Sequence, residues 1–212
     1  MDFTLHDEQR ALQESVRQFA QRELPELARE IELSDEPPSV ELRKRFGELG
    51  YLGVNLPSEY GGGGMSHFDA VLVLEEVAKI SIAVAFPIFE SCFGPTLAIA
   101  HFGSDAMKQR VLPKVCAGEM VVAVAMSEPD AGSALTDLKT QVRREGDKML
   151  LSGNKRWSSG AGHSEAYVVY CRMDDSPGAK SIGAVLVEKG SRGFTFGKRD
   201  HHMGFRGVYS AD

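Results

Sequence analysis

Val115-Cys116-Ala117-Gly118-Glu119-Met120-Val121-Val122-Ala123-Val124-Ala125-Met126 marks a change of structural grammar in this chain. Before Gly118 the apolar residues recur at the spacing of amphipathic helices; after it they fall into short runs rich in valine, tyrosine and leucine. Working back from the boundary, Ser104 opens a short helix with Met107, Val111 and Val115 on one face. An apolar helix runs through residues 86–102 and stops at Gly103, and Ser66 caps a helix through Val71, Leu74, Val77 and Ile80. Residues 56–64 read as loop. Ser39 caps a helix whose stripe is Leu42, Phe46 and Leu49 and which Gly50 ends. The first helix reads as one long element through Leu12, Val16, Phe19, Leu24, Leu27 and Ile31, with Thr4 and Asp7 as a capping pair and Pro37-Pro38 as its stop.

Forward of Gly118, residues 121–126, 148–151, 166–171 and 182–188 read as strands, with turn signals at Glu145-Gly146-Asp147 and at residues 174–178. No long helical pattern intervenes, so antiparallel pairing in a barrel or sandwich is expected. The expectation is an α+β chain: an all-α helical domain over 1–119 and an antiparallel β-barrel-like domain over 120–212. The few strands before Tyr209-Ser210-Ala211-Asp212 make the chain, on this reading, part of something longer.

Composition bounds the function classes. Of 212 residues 42% are hydrophobic, which is ordinary for a chain that buries a core. Met1-Asp2-Phe3-Thr4-Leu5-His6-Asp7 carries neither the basic start nor the apolar run of a secretory signal, and no membrane-spanning run of about 18 apolar residues is read, so a cytoplasmic protein is expected. A net charge of -6 with dispersed lysines and arginines offers nucleic acid no basic stripe. Cys92, Cys116 and Cys171 are widely spaced and odd in number, arguing for buried thiols over a disulfide framework or zinc site.

Two segments carry candidate chemistry. Ala125-Met126-Ser127-Glu128-Pro129-Asp130-Ala131-Gly132-Ser133 joins a strand end to a loop of small residues, where Ser127, Ser133 and main-chain N–H groups can donate to a ligand's oxygens. Alone, it also reads as a plain strand-to-loop turn. Leu151-Ser152-Gly153-Asn154-Lys155-Arg156-Trp157-Ser158-Ser159-Gly160-Ala161-Gly162 places the only tryptophan beside two serines and glycines, which suits a flat ring with a polar edge. Alone, Trp157 reads more readily as a packing residue than as a cofactor wall.

In their order and separation the two segments resemble the signatures of the acyl-CoA dehydrogenase family. Leu56-Pro57-Ser58-Glu59-Tyr60-Gly61-Gly62-Gly63-Gly64 with Leu74-Glu75-Glu76-Val77-Ala78, and Gly204-Phe205-Arg206-Gly207, extend the resemblance over nearly the whole chain. It implies an FAD enzyme that desaturates an acyl-CoA thioester to a trans-2-enoyl-CoA with hydride transfer to flavin N5, and a C-terminal helical bundle beyond these residues that supplies the catalytic base, so that none is expected here. On this resemblance Ser127 contacts the flavin's polar edge, Val124 and Met126 lay backbone against the ring, and Trp157 packs on it. Ser159 reaches N5, and Ser133 serves the pyrophosphate and the CoA arm. Phe89 and Glu90 are pocket candidates for the acyl chain. An electron-transfer flavoprotein as partner and assembly as a homotetramer or homodimer are likewise implied. The chain departs from the pattern at Ala134, where aspartate often follows the serine, and at Ser158-Ser159-Gly160, where Ile-Thr/Ser-Asn is usual. Rival readings are an acyl-CoA oxidase, an acyl-CoA desulfinase, a flavin monooxygenase, and a silent flavin- or CoA-binding subunit.

Other features read as structural. Gly61 to Gly64 lacks the Lys-Ser or Lys-Thr of a phosphate loop, His201-His202 lacks a ligand cluster, and Glu75-Glu76 and Asp174-Asp175 are expected to be solvated charge.

Overall fold

The computed structural model describes residues 4–212. The reading of the N-terminus as free of a secretory signal falls partly on residues 1–3, outside that range. The described chain forms two compact units: one comprises the chain up to Val121 together with His202–Val208, the other Val122–His201 and Tyr209–Asp212.

In the helical unit, α1 (Asp7–Glu23) is capped by His6, whose Nδ1 accepts from the Gln9 amide while the Gln9 side chain accepts from the His6 amide. The cap is thus His6 in place of the expected Thr4–Asp7 pair. The expected long first helix is also broken: Leu24 caps α1, and α2 (Pro25–Ser34) begins on Pro25. Proline has no N–H to continue the helical ladder but is at ease in a first turn. α3 (Val40–Glu48) starts where Ser39 Oγ accepts from Leu42 N at 3.2 Å, and Gly50 follows it at φ 73°. Residues 56–64 contain a 3-10 turn at Ser58–Tyr60 before α4 (His67–Ala78).

At the start of α4, Ser66 Oγ accepts from Asp69 N at 3.1 Å and Asp69 Oδ2 accepts from Ser66 N at 2.9 Å, a closed capping box. Ser66→Ala removes half of it and is expected to lower helical-unit stability by about 1 kcal/mol, read as a shift in the urea midpoint followed by far-UV ellipticity.

The apolar stretch expected as one helix over 86–102 begins earlier and is divided. α5 (Ile82–Cys92), capped by Ser81, stops at Phe93-Gly94, and α6 (Pro95–Phe102) restarts on a proline. Ile82–Phe102 has the length and apolarity of a membrane span, contrary to the sequence reading, yet 61% of its most apolar window is buried inside the protein. α7 (Asp105–Cys116) is capped by Ser104 as expected. The core gathers Val16, Phe46, Val73, Val77, Val84 and Ile88, all at 0% exposure. Each contributes roughly 1.5–3 kcal/mol by leaving water. Glu76 corrects another expectation: its carboxylate is buried, gripped by Arg17 at 3.1 and 3.2 Å and by Lys79 at 2.8 Å.

The sheet unit is mixed, where an antiparallel barrel-like arrangement was expected, and the described strands close no barrel. The central strand β5 (Ala166–Arg172) pairs in parallel with β1 (Val122–Ala125) and antiparallel with β6 (Ile182–Glu188). The hairpin of β2 (Gln141–Glu145) and β3 (Lys148–Ser152) turns at Gly146 and joins β5 in parallel at Gln141↔Arg172. The parallel register follows from the connection: the 40 residues between β1 and β5 contain a whole hairpin, long enough to return the chain to the same end. A small second sheet pairs β4 (Ser158–Ser159) with β7 (Ser210–Ala211). Tyr167, Phe194 and Phe196 pack ring against ring at 4.8–5.4 Å over one face of β5.

Candidate functional site

β1 ends at Ala125, and the following loop turns tightly, with Glu128 N donating to Ala131 O and Ala131 N to Glu128 O. The second motif segment lies against it: Arg156 N donates to Ser127 O at 2.9 Å. Lys155 Nζ donates to Met126 O at 2.9 Å and to Glu128 Oε1 at 2.8 Å. The Glu128 carboxylate also accepts from the backbone amides of Lys139 at 2.6 Å and Thr140 at 2.9 Å, tying in the start of β2. The structure therefore brings the Ser127 and Trp157 segments together.

Electrostatically, the Glu128–Lys155 pair is the most perturbed feature of this unit. Its side chains are only 4% and 9% exposed. Burial alone would raise the Glu128 carboxyl, but hydrogen bonds from Lys155, Thr140 and Lys139 outweigh it and hold the group at about 2. For Lys155 burial prevails over the attraction of Glu128, and the ammonium titrates below its usual range. The asymmetry has a geometric cause: the carboxylate is met by three donors, the ammonium by one carboxylate and one carbonyl.

Because the folded-state value lies below the ordinary 4.5, the stabilisation by Glu128 is fully present above about pH 4.5 and lost as pH falls toward 2. The loss is roughly 3 kcal/mol. Sheet-unit unfolding followed by the emission of Trp157 is expected to shift accordingly over that window, and Glu128→Gln is expected to flatten the dependence.

The remaining residues proposed from sequence are placed as follows. Trp157 is 60% exposed at φ 57°, with the Arg156 guanidinium 5.0 Å from its ring centroid. Ser127 and Ser159 are half-buried and Ser133 is exposed, and none of their hydroxyls has a protein partner among the described residues. Val124 is half-buried in β1, and Met126, also half-buried, lends its carbonyl to Lys155. In the helical unit, α5 carries Phe89, 44% exposed and stacked with Phe86 and Phe93, next to the buried Glu90. A cavity of about 450 Å³ opens on the apolar face of the main sheet, lined by Tyr167, Phe194, Phe196 and Lys155, but the six flavin candidates do not line it.

Sequence reasoning missed Glu128 and Lys155. Both were in the quoted segments, yet nothing in the pattern separated Glu128 from its neighbour Asp130, which makes a surface pair with Lys139, or Lys155 from the exposed Arg156.

The donor set fits FAD. An exposed indole, two half-buried hydroxyls without protein partners and a glycine loop stand together, and a Cβ added at Gly132 would meet nothing within 4 Å, so that glycine serves no packing need of the chain itself. Ser127, Trp157 and Ser159 would hold the ring and Ser133 the phosphates.

Comparison with known proteins gives two family models: "Acyl-CoA dehydrogenase, N-terminal domain" matches residues 6–119 and "Acyl-CoA dehydrogenase, middle domain" residues 123–212. The mitochondrial isovaleryl-CoA dehydrogenase of Pongo abelii is 36% identical over 96% of this chain and 49% of its own length. The 3-sulfinopropanoyl-CoA desulfinase of Paraburkholderia xenovorans is 39% identical over 99% of this chain and 53% of its own. A glutaryl-CoA dehydrogenase from Mycobacterium smegmatis, solved in complex with FADH2, superposes with a TM-score of 0.87 at 27% identity, covering 98% of this chain and 52% of that one. The chain thus spans about half the length of the relatives it matches.

Proposed function

The chain belongs to the acyl-CoA dehydrogenase family, and from that premise we propose that the whole protein is an FAD enzyme that desaturates an acyl-CoA thioester between its α and β carbons. The observation that carries this reading is the docking of the Trp157 segment on the Ser127 loop, in which Trp157 is exposed and the hydroxyls of Ser127 and Ser159 have no protein partner among the described residues. FAD, when bound, supplies the two-electron acceptor. The chain's own residues bind and orient: Trp157 would pack on the ring, Ser127 would donate to its polar edge and Ser159 to N5, and the backbone at Val124 and Met126 would lie along it. Ser133 serves the pyrophosphate and CoA arm, and Phe89 and Glu90 meet the acyl chain. The base that takes the α-proton is a carboxylate outside residues 1–212. A cytoplasmic homotetramer or homodimer that passes its electrons to an electron-transfer flavoprotein in fatty-acid degradation completes the reading.

The test uses full-length, FAD-loaded protein with a panel of acyl-CoAs and a dye acceptor. Dye reduction without oxygen uptake is expected; rapid oxygen uptake would identify an oxidase. The 39% identity to a desulfinase favours one second reading, removal of a sulfinate group from an acyl-CoA. Sulfite release from 3-sulfinopropanoyl-CoA with the flavin staying oxidised would establish it.

A further inference from the structure

We propose, resting on the flavin reading above, that the buried Glu128–Lys155 pair is a positioning device that sets the Ser127 and Trp157 segments in the one relative geometry that receives the flavin ring. The ammonium of Lys155 grips both sides of Ser127, through the carbonyl of Met126 at 2.9 Å and the carboxylate of Glu128 at 2.8 Å. Ser127 itself is tied to the next residue of the other segment, since its carbonyl accepts from Arg156 N at 2.9 Å. Of the residues assigned to the ring, Ser127 and Trp157 therefore lie within two positions of the pair.

Trp157 needs such external support. Its indole is 60% exposed, so burial does not hold it, and its backbone at φ 57° lies in the left-handed region that a bulky side chain disfavours. An exposed aromatic residue in an unfavourable backbone state stays put only when its neighbours are fixed. Two residues before it, Lys155 is fixed by the pair, and the carboxylate end is anchored by the amides of Lys139 and Thr140.

A buried ion pair adds little net stability compared with apolar residues of the same volume, because desolvation cancels most of the attraction. What this pair adds is direction: two other segments, at Lys139-Thr140 and at Lys155, converge on the one carboxylate of Glu128. Binding sites depend on such support, since a displacement of about 1 Å in the contacting groups is enough to lose affinity or rate.

The experiment compares full-length wild-type protein with Lys155→Met, Glu128→Gln and a control, Glu76→Gln. Glu76 is likewise a buried carboxylate held by two cations, but it lies in the helical unit and contacts none of the flavin candidates. FAD affinity, the visible spectrum of the bound flavin and the melting temperature are measured for each, wild type first. Lys155→Met is expected to weaken FAD binding by roughly tenfold or more and to shift the flavin spectrum, with Glu128→Gln in the same direction and Glu76→Gln lowering only the melting temperature. If Lys155→Met does not fold, Glu128→Gln, which keeps the size of the side chain and one of the two acceptor oxygens that meet the Lys139 and Thr140 amides, carries the test. Site variants that melt lower yet bind FAD with wild-type affinity and spectrum would reduce the pair to a structural role and overturn the proposal. A wild-type protein that binds no FAD would instead sink the flavin reading itself, and this inference with it.

Discussion

Replacing Phe46 with alanine is expected to destabilise the helical unit by about 3–5 kcal/mol. Phe46 lies on the buried stripe of α3, is 0% exposed, and meets the rings of Phe19 on α1 and Tyr51 at centroid distances of 6.3 and 6.1 Å. Truncation removes the ring's transfer free energy and leaves a cavity that two elements joined through it cannot both collapse into. The chain offers a clean way to see where the loss falls. Its only tryptophan, Trp157, belongs to the sheet unit, whereas far-UV ellipticity is dominated by the α-helices α1 to α7 of the described residues. The urea midpoint by ellipticity should fall, and a loss below about 1 kcal/mol would mean that Phe46 is not central to this core.

Gly62→Ala is expected to cost about 3 kcal/mol through overpacking. A Cβ at this position would sit 2.2 Å from the carbonyl oxygen of Leu56 and 2.5 Å from its carbonyl carbon, both backbone atoms that cannot swing away. The surrounding loop has no slack, because Gly63 N donates to Gly53 O at 2.8 Å and Gly64 N to Leu56 O at 2.9 Å. Gly64→Ala provides the contrast. Its added Cβ meets nothing within 4 Å, and only the left-handed backbone at φ 61° opposes it, a cost of about 1–2 kcal/mol. The glycine run thus has a packing explanation at Gly62 and a conformational one at Gly64. Equal losses for the two variants would contradict that division.

What was legible in the sequence was local. Ser39, Ser66 and Ser104 cap helices where their spacing placed them, because each cap is decided by a hydroxyl and the amide three residues on. The strand at 182–188 was likewise readable from its own residues. The misses arose where a distant partner or a single backbone break decides. The apolar stripe continues across Leu24 and Pro25, so periodicity alone joined α1 to α2, and Phe93-Gly94 divides a stretch that is apolar throughout. Strand direction was also hidden. Turn signals favour antiparallel neighbours, and nothing in β1 announces that it pairs with β5 beyond an intervening hairpin. Glu76 resembled solvated charge until Arg17 and Lys79 closed on it.

At the candidate site the same division holds. The motif segments could be recognised from their own residues, but the contact that joins them is made by Lys155 and Glu128, 27 residues apart. Their pairing depends on how the Ser127 loop and the start of β2 pack, which no single stretch encodes.

The most direct test of the central claim is an anaerobic titration of the full-length, FAD-loaded protein with acyl-CoAs of different chain length and branching, following the visible absorbance of the flavin. Stoichiometric bleaching by one class of saturated acyl-CoA, with the matching 2-enoyl-CoA formed, is the predicted result and identifies the substrate class. A protein that holds FAD yet is bleached by no acyl-CoA would contradict the account.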